Sequence, residues 1–298
     1  MMPVLTSEQQ ERKPKQRKIR NSEYYGMQET FDDLYADSVK GKTFNHLMEI
    51  IEGEENIKLA YRTMKKNTGS NTAGVDKRTI TDLAKLSEEE YVRLIRKQFS
   101  NYHPRAVRRV EIPKPNGKTR PLGIPTITDR MVQQCILQVM EPICEARFSE
   151  NSNGFRPNRS AETAIAQCMR LIQVQHMYHV VDLDIKGFFD NINHTKLIRQ
   201  IWALGIRDKK LLCIIKEMLK APVMLPSGKV IRPDKGTPQG GLCGYRHNPS
   251  LCRALCYAEL DDLIPENKGL SSFYVGIIRS QIRRTAMSSQ PFSMPREE

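Results

Sequence analysis

Residues His179 to His194 read His-Val-Val-Asp-Leu-Asp-Ile-Lys-Gly-Phe-Phe-Asp-Asn-Ile-Asn-His, and they hold the arrangement most suited to chemistry. The run opens with β-branched and apolar residues, the composition of a short buried strand. A strand's two-residue period puts Val181, Leu183 and Ile185 on one face and Val180, Asp182 and Asp184 on the other. Two carboxylates on one strand face must be solvated, paired or bound to cations, because burying them bare is costly. Lys186-Gly187 ends the strand where Asp184 can reach a cleft. The pair is a cation site or a set of ordinary surface acids, and the flanking motifs favour the first.

Cations gather upstream. Arg108, Arg109, Lys114, Lys118 and Arg120 fall on two extended runs joined by Pro115-Asn116-Gly117-Lys118, a hairpin signature. Arginine offers phosphate a planar fork and lysine a point charge. A solvated basic hairpin would look the same in isolation. Gly154-Phe155-Arg156-Pro157-Asn158-Arg159 is a second basic turn, and Gly236-Thr237-Pro238-Gln239-Gly240-Gly241 lets backbone approach a ligand closely.

The whole chain shares this bias, with 47 basic against 34 acidic residues and a net charge of +13 over 298 residues. That balance favours a polyanionic partner, most simply nucleic acid. A composition of 39% hydrophobic and 27% charged residues suits a globular fold. No run is apolar enough to span a membrane, and the polar N-terminus lacks a signal core. The seven cysteines form no Cys-x-x-Cys pair, which argues against zinc or a disulfide framework and for a reducing, cytoplasmic setting.

The elements that must position these residues follow from periodicity. Residues 1–43, with a basic run from Arg12 to Arg20, read as a basic, flexible N-terminal extension. Two short amphipathic helices broken near Gly53 are expected between Phe44 and Lys66, then a loop over Asn67 to Asp76 and a helix over Leu86 to Phe99. A long helix spans Thr126 to Phe148, with Thr128 able to cap it and Pro142 expected to kink or divide it. Helices over Ala161 to Gln175, Thr195 to Leu204 and from the Asp208 cap to Leu219 follow, and a second hairpin lies between Pro222 and Pro233.

In this order and spacing the motifs resemble the reverse transcriptases of group II intron-encoded proteins, the retroelement polymerase and maturase family. The resemblance rests on Arg-Arg-Val-Glu-Ile-Pro-Lys-Pro-Asn-Gly at 108–117, Arg-Pro-Leu-Gly-Ile-Pro at 120–125 and Asn-Gly-Phe-Arg-Pro-Asn-Arg-Ser at 153–160. Asp-Ile-Lys-Gly-Phe-Phe-Asp-Asn-Ile at 184–192 and Gly-Thr-Pro-Gln-Gly-Gly at 236–241 complete it. It implies an α+β right-hand polymerase fold, with fingers and a partial palm over 44–241, lacking the thumb. It also implies RNA-directed DNA synthesis with an RNA template, a DNA primer and dNTPs, two Mg²⁺ ions, and binding of a group II intron RNA. By the same resemblance Asp184 is a catalytic metal ligand and the Ile185 carbonyl a further one. Lys114 and Arg120 clamp the triphosphate, Phe189 packs beneath the incoming sugar and Gln239 lies beside the nascent pair. Arg108, Arg109, Arg156 and Arg159 are the expected RNA contacts.

The pattern departs after Gly241. Ala258-Glu259-Leu260-Asp261 partly restores an expected helix, but the Tyr-Ala-Asp-Asp that would bring the other two metal carboxylates is absent. Tyr35-Ala36-Asp37 lies far upstream, and Asp261-Asp262 falls on a predicted helix. Residues 242–298 therefore read as an aberrant palm remnant and polar tail, as a disrupted reading frame would produce. A reverse transcriptase defective in catalysis is the expectation. The alternatives are a non-catalytic RNA-binding fragment and an inert product of a decayed gene.

Overall fold

The computed structural model of the chain describes residues 19–113, 117, 119–148, 151–153, 156–184, 188–237, 270–277 and 281–288. Its first half is helical: α1 (Asn21–Tyr24), α2 (Gln28–Val39), α3 (Leu47–Ile51), α4 (Glu54–Lys65), a 3-10 turn at Thr68–Asn71, α5 (Ile80–Leu83) and α6 (Glu88–Ser100). The hairpin β1 (Val107–Pro113) and β2 (Thr119–Ile124) leads into α7 (Ile127–Glu145) and α8 (Ala161–Gln173). Then come β3 (His179–Asp184), α9 (Phe188–Asn191), α10 (His194–Ala203), α11 (Lys209–Leu219), β4 (Val223–Met224) and β5 (Val230–Ile231). Strands β6 (Leu270–Ile277) and β7 (Gln281–Ser288) close the described chain.

The core is built around α7, against which α2, α3, α4 and α6 all pack. Ile127, Met131, Val132, Cys135, Ile136, Val139 and Ile143 have no exposed surface, because four helices enclose this one on several sides. Buried polar groups near it are paired. Asn56 on α4 donates through Nδ2 to the carbonyls of Ile51 and Cys135, at 2.9 and 3.1 Å. Gln138 Nε2 donates to the Asn56 carbonyl at 2.6 Å. Those bonds fix the register between two helices that apolar contact alone would let slide.

Two sheets flank this core. One has the order β2-β1-β4-β5, with β1 antiparallel to β2 and parallel to β4. The other has the order β3-β7-β6, all antiparallel. The segments before α3 and after α10 also meet. Phe44 N–H donates to the Gly205 carbonyl and Arg207 N–H to the Phe44 carbonyl, both at 2.8 Å. Gly205 has φ +96°, and a Cβ there would stand 2.9 Å from the Lys42 carbonyl oxygen, so this crossing requires glycine.

The mixed α and β architecture and both hairpins agree with the sequence reading, and β3 spans the expected residues. Four features differ. Residues 21–39, expected within a flexible extension, form α1 and α2, and Leu34 and Ser38 are buried. Ser38 Oγ donates to the Ile143 carbonyl at 2.8 Å, so α2 is part of the core. The cap of α7 is Thr126, whose hydroxyl accepts from Asp129 N, rather than Thr128, which lies inside the first turn. Pro142 does not divide α7, because it sits in the last turn where only one ladder bond is forfeited. Residues 281–288, read as a polar tail, form a strand. The expected helix over Tyr257 to Asp262 lies outside the described residues.

Candidate nucleic-acid interface

The basic hairpin stands out from the core: Val107 is buried, Arg108 to Val110 are half-buried, and Glu111 to Pro113 are exposed. Its root is held by a cluster that the sequence did not announce. Asp129, buried at 5% exposure, accepts from Tyr102 Oη at 3.0 Å, Thr126 Oγ1 at 2.6 Å and Arg105 N at 3.3 Å. Burial raises the Asp129 carboxyl above the ordinary aspartate range, and the hydrogen bonds from Thr126 and Tyr102 oppose it. Burial, reinforced by the adjoining carboxylate, drives the Tyr102 hydroxyl upward. A tyrosine that stays protonated is a dependable donor here.

Arg108 lies at this root. Its Nε and Nη2 donate to the Ala73 carbonyl at 3.2 and 2.7 Å. From α7, Arg130 reaches the same loop, with Nη1 on the Gly69 carbonyl at 2.8 Å and Nη2 on Thr72 at 2.6 Å. The loop also closes on the start of α7 at Gly74, where a Cβ would be 2.8 Å from Thr126 Cα. Arg108 therefore ties a loop to the hairpin, where an RNA contact was expected. Arg109 is half-buried, and its Nε has no hydrogen-bond partner among the described residues. Arg120 pairs with Ile112 across the hairpin, and Lys114 and Lys118 lie outside the described residues.

The second basic turn divides likewise. Arg156, its side chain 8% exposed, donates through Nε and Nη2 to Glu145 Oε1, each at 2.7 Å, and through Nη1 to the Ser152 carbonyl at 3.0 Å. Its guanidinium also lies 5.6 Å from the Phe148 ring centroid. It pins the turn to the end of α7, where an RNA contact was expected. Arg159 remains half-exposed beside it.

Asp184 ends β3, where its register partner is Arg283 of β7, with Leu183 opposite Arg284 and Asp182 opposite Thr285. Phe189 lies in α9, immediately beyond. The root of the glycine-rich motif is brought to this region, since Gly236 N donates to the Ile192 carbonyl at 2.8 Å. His194 Nε2 is 2.7 Å from the Gly236 carbonyl, and Lys235 Nζ donates to Asn191 Oδ1 at 2.9 Å. The 184–192 and 236–241 motifs thus share a junction, although Ile185 and Gln239 are outside the described residues. A cleft of about 690 Å³ beside it is lined by His103, His194, Glu217, Lys220, Arg232 and Asp234, among others. Among the described residues no three His, Cys, Asp or Glu side chains gather closely enough to hold a metal ion. In backbone register Asp184 stands opposite Arg283 rather than a second carboxylate, which does not fit the three-carboxylate set expected for two Mg²⁺ ions.

The family model for reverse transcriptase (RNA-dependent DNA polymerase) matches residues 112–259. The group II intron-encoded protein LtrA of Lactococcus lactis subsp. cremoris is 38% identical over 187 residues, covering 62% of this chain and 30% of that protein. Protein YkfC of Escherichia coli (strain K12) is 34% identical over 206 residues, 66% of this chain and 52% of its own length. Nuclear intron maturase 2, mitochondrial, of Arabidopsis thaliana is 35% identical over 96 residues, 32% of this chain and 13% of its own. The chain spans about half, or less, of each of these relatives. Among the described residues no helix is long and apolar enough to cross a membrane.

Proposed function

We infer, for a chain that belongs to the family of group II intron-encoded reverse transcriptases and maturases, that it binds a structured intron RNA without polymerising DNA. The match to the reverse transcriptase family carries the RNA half of this reading, and the net charge of +13 supports it. In this reading residues 44–241 are fingers and partial palm. Lys114 and Arg120 are the triphosphate-facing cations, with Phe189 and Gln239 at the sugar and base. RNA template, DNA primer and dNTP are the ligands that this surface descends from. Asp184, with the Ile185 carbonyl, is the surviving part of a Mg²⁺ site. The cytoplasm is the setting that suits the buried thiol of Cys135.

The non-catalytic half rests on the register of Asp184 with Arg283 and on a sequence without Tyr-Ala-Asp-Asp. Reverse transcriptases as a family use Mg²⁺, which supplies charge neutralisation and an activated 3′-hydroxyl when bound. Asp184 alone leaves most of that positive charge uncompensated, and no step through the ions is derived for this chain.

Filter retention of a group II intron RNA tests the RNA half. Affinity should fall steeply with salt, with a log–log slope of about −0.7 to −0.9 per contacted phosphate. Replacing Lys114 and Lys118 by Ala should flatten that slope by about one to two units. A flat response from a chain that circular dichroism shows to be folded would end the reading.

A further inference from the structure

Trp202 is the only tryptophan of the chain, and it is 42% exposed. Its helix explains the position. Leu197 and Ile201 of α10 are buried in the core, and one residue further the helix has turned Trp202 toward solvent. Burying an indole is strongly favourable, so leaving this one open forgoes stabilisation that a core position would give.

The surroundings are cationic. The Arg207 guanidinium lies 5.5 Å from the Trp202 ring centroid, and Arg207 is itself exposed. Arg199, also exposed, stands three residues before Trp202 on the same helix, a spacing that makes the two neighbours. Neither arginine is in ion-pair contact with a carboxylate among the described residues. Asp208, the residue after Arg207, is engaged by backbone, accepting from Met48 N at 3.0 Å and Leu211 N at 3.1 Å. Arg207 is held in place by its backbone, since its N–H donates to the Phe44 carbonyl at 2.8 Å and Gly205 forms the crossing just before it.

An exposed indole beside two guanidinium groups that pair with no carboxylate among the described residues has the parts of a single-stranded RNA platform: a ring on which a base stacks, and cations for the flanking phosphates. We propose that Trp202, with Arg207 and Arg199, is a stacking site for an unpaired base of bound RNA. The site rests on the RNA-binding reading but is separate from the hairpin and from Asp184, so each can fail alone. It needs no metal and no chemistry. Arg207 orders the ring before binding, which lowers the entropy lost when a base stacks.

The single tryptophan provides the readout. Titrating the full chain with a short oligouridylate should quench its indole fluorescence in step with binding measured by filter retention. An abasic oligomer of equal length and charge should bind more weakly and leave the fluorescence unchanged. Trp202→Leu should weaken oligouridylate binding about tenfold, the size expected for one lost base stack, while Trp202→Tyr keeps most of it. Circular dichroism confirms that each variant is folded, and the abasic comparison on wild type stands even if Trp202→Leu is not. Binding with unchanged fluorescence, and with no loss in Trp202→Leu, overturns the stacking site and leaves RNA binding intact. Absence of any RNA binding at low salt overturns both.

Discussion

The two sheets handle their charged residues in opposite ways. In β2-β1-β4-β5, the arginine at the root is held by neutral carbonyls. Arg108 binds Ala73, and the nearby Arg130 binds Gly69 and Thr72, while the hairpin beyond them runs out into solvent. In β3-β7-β6, Asp184 is in backbone register with Arg283, on a strand that carries a second arginine at 284. The first sheet is braced by the helical core through Asp129 and α7. The second is joined to the described chain through β3, α8 and the strand pairs. Arginine thus serves as an internal brace in one sheet and stands opposite the expected metal ligand in the other.

That contrast can be broken or sharpened by substitution. The largest effect is expected in the braced half. Ile136→Ala, at a position with no exposure on α7, should cost about 2–5 kcal/mol, read as a lower urea midpoint. Arg130→Met should cost about 2–4 kcal/mol by removing two charge-assisted bonds and leaving the Gly69 and Thr72 carbonyls without them. Limited proteolysis should then open the 67–76 loop. Gly74→Ala should cost about 1–3 kcal/mol, since its Cβ meets backbone of Thr126 that cannot move freely. If these three changes were silent, the brace would have no energetic content.

Asp129 supplies a smaller, pH-dependent effect. Its carboxyl titrates higher in the folded chain than unfolded, so above about pH 4 the folded state holds a proton that the unfolded state has released. Stability from this group is therefore full below the unfolded value and falls as pH rises through the folded one. Comparing wild type with Asp129→Asn, the stability gap should narrow on going upward from about pH 4. A gap that widens would reverse the sign. The smallest effect belongs to the other sheet. A chain ending at Thr237 should unfold within about 1 kcal/mol of the full chain, because the main apolar cluster lies between Leu34 and Leu219.

The same contrast marks what the sequence could disclose. Strand β3, both hairpins and the Asp208 cap are local patterns, and period and turn chemistry reveal them. Asp208 also accepts from Met48 N at 3.0 Å, 160 positions away in the chain, which no local pattern encodes. Arg108 and Arg156 belong to motifs rich in cations, but charge in a sequence does not say whether its partner is a phosphate or a carbonyl of the same chain. Helix α2 was obscured by the basic run before it, although Leu34 and Ser38 face α7. Strand β7, Gln-Ile-Arg-Arg-Thr-Ala-Met-Ser, has too few apolar residues to show a period, and its pairing with β3 defines it.

The central claim is that RNA binding persists where polymerisation does not, and primer extension tests it most directly. A preparation of the chain that is folded and retains intron RNA is given a DNA primer on an RNA template, dNTPs and Mg²⁺. The account predicts no extension above that of an Asp184→Asn control. Sustained extension that Asp184→Asn abolishes would contradict it, and would mean that carboxylates other than those expected complete the metal site.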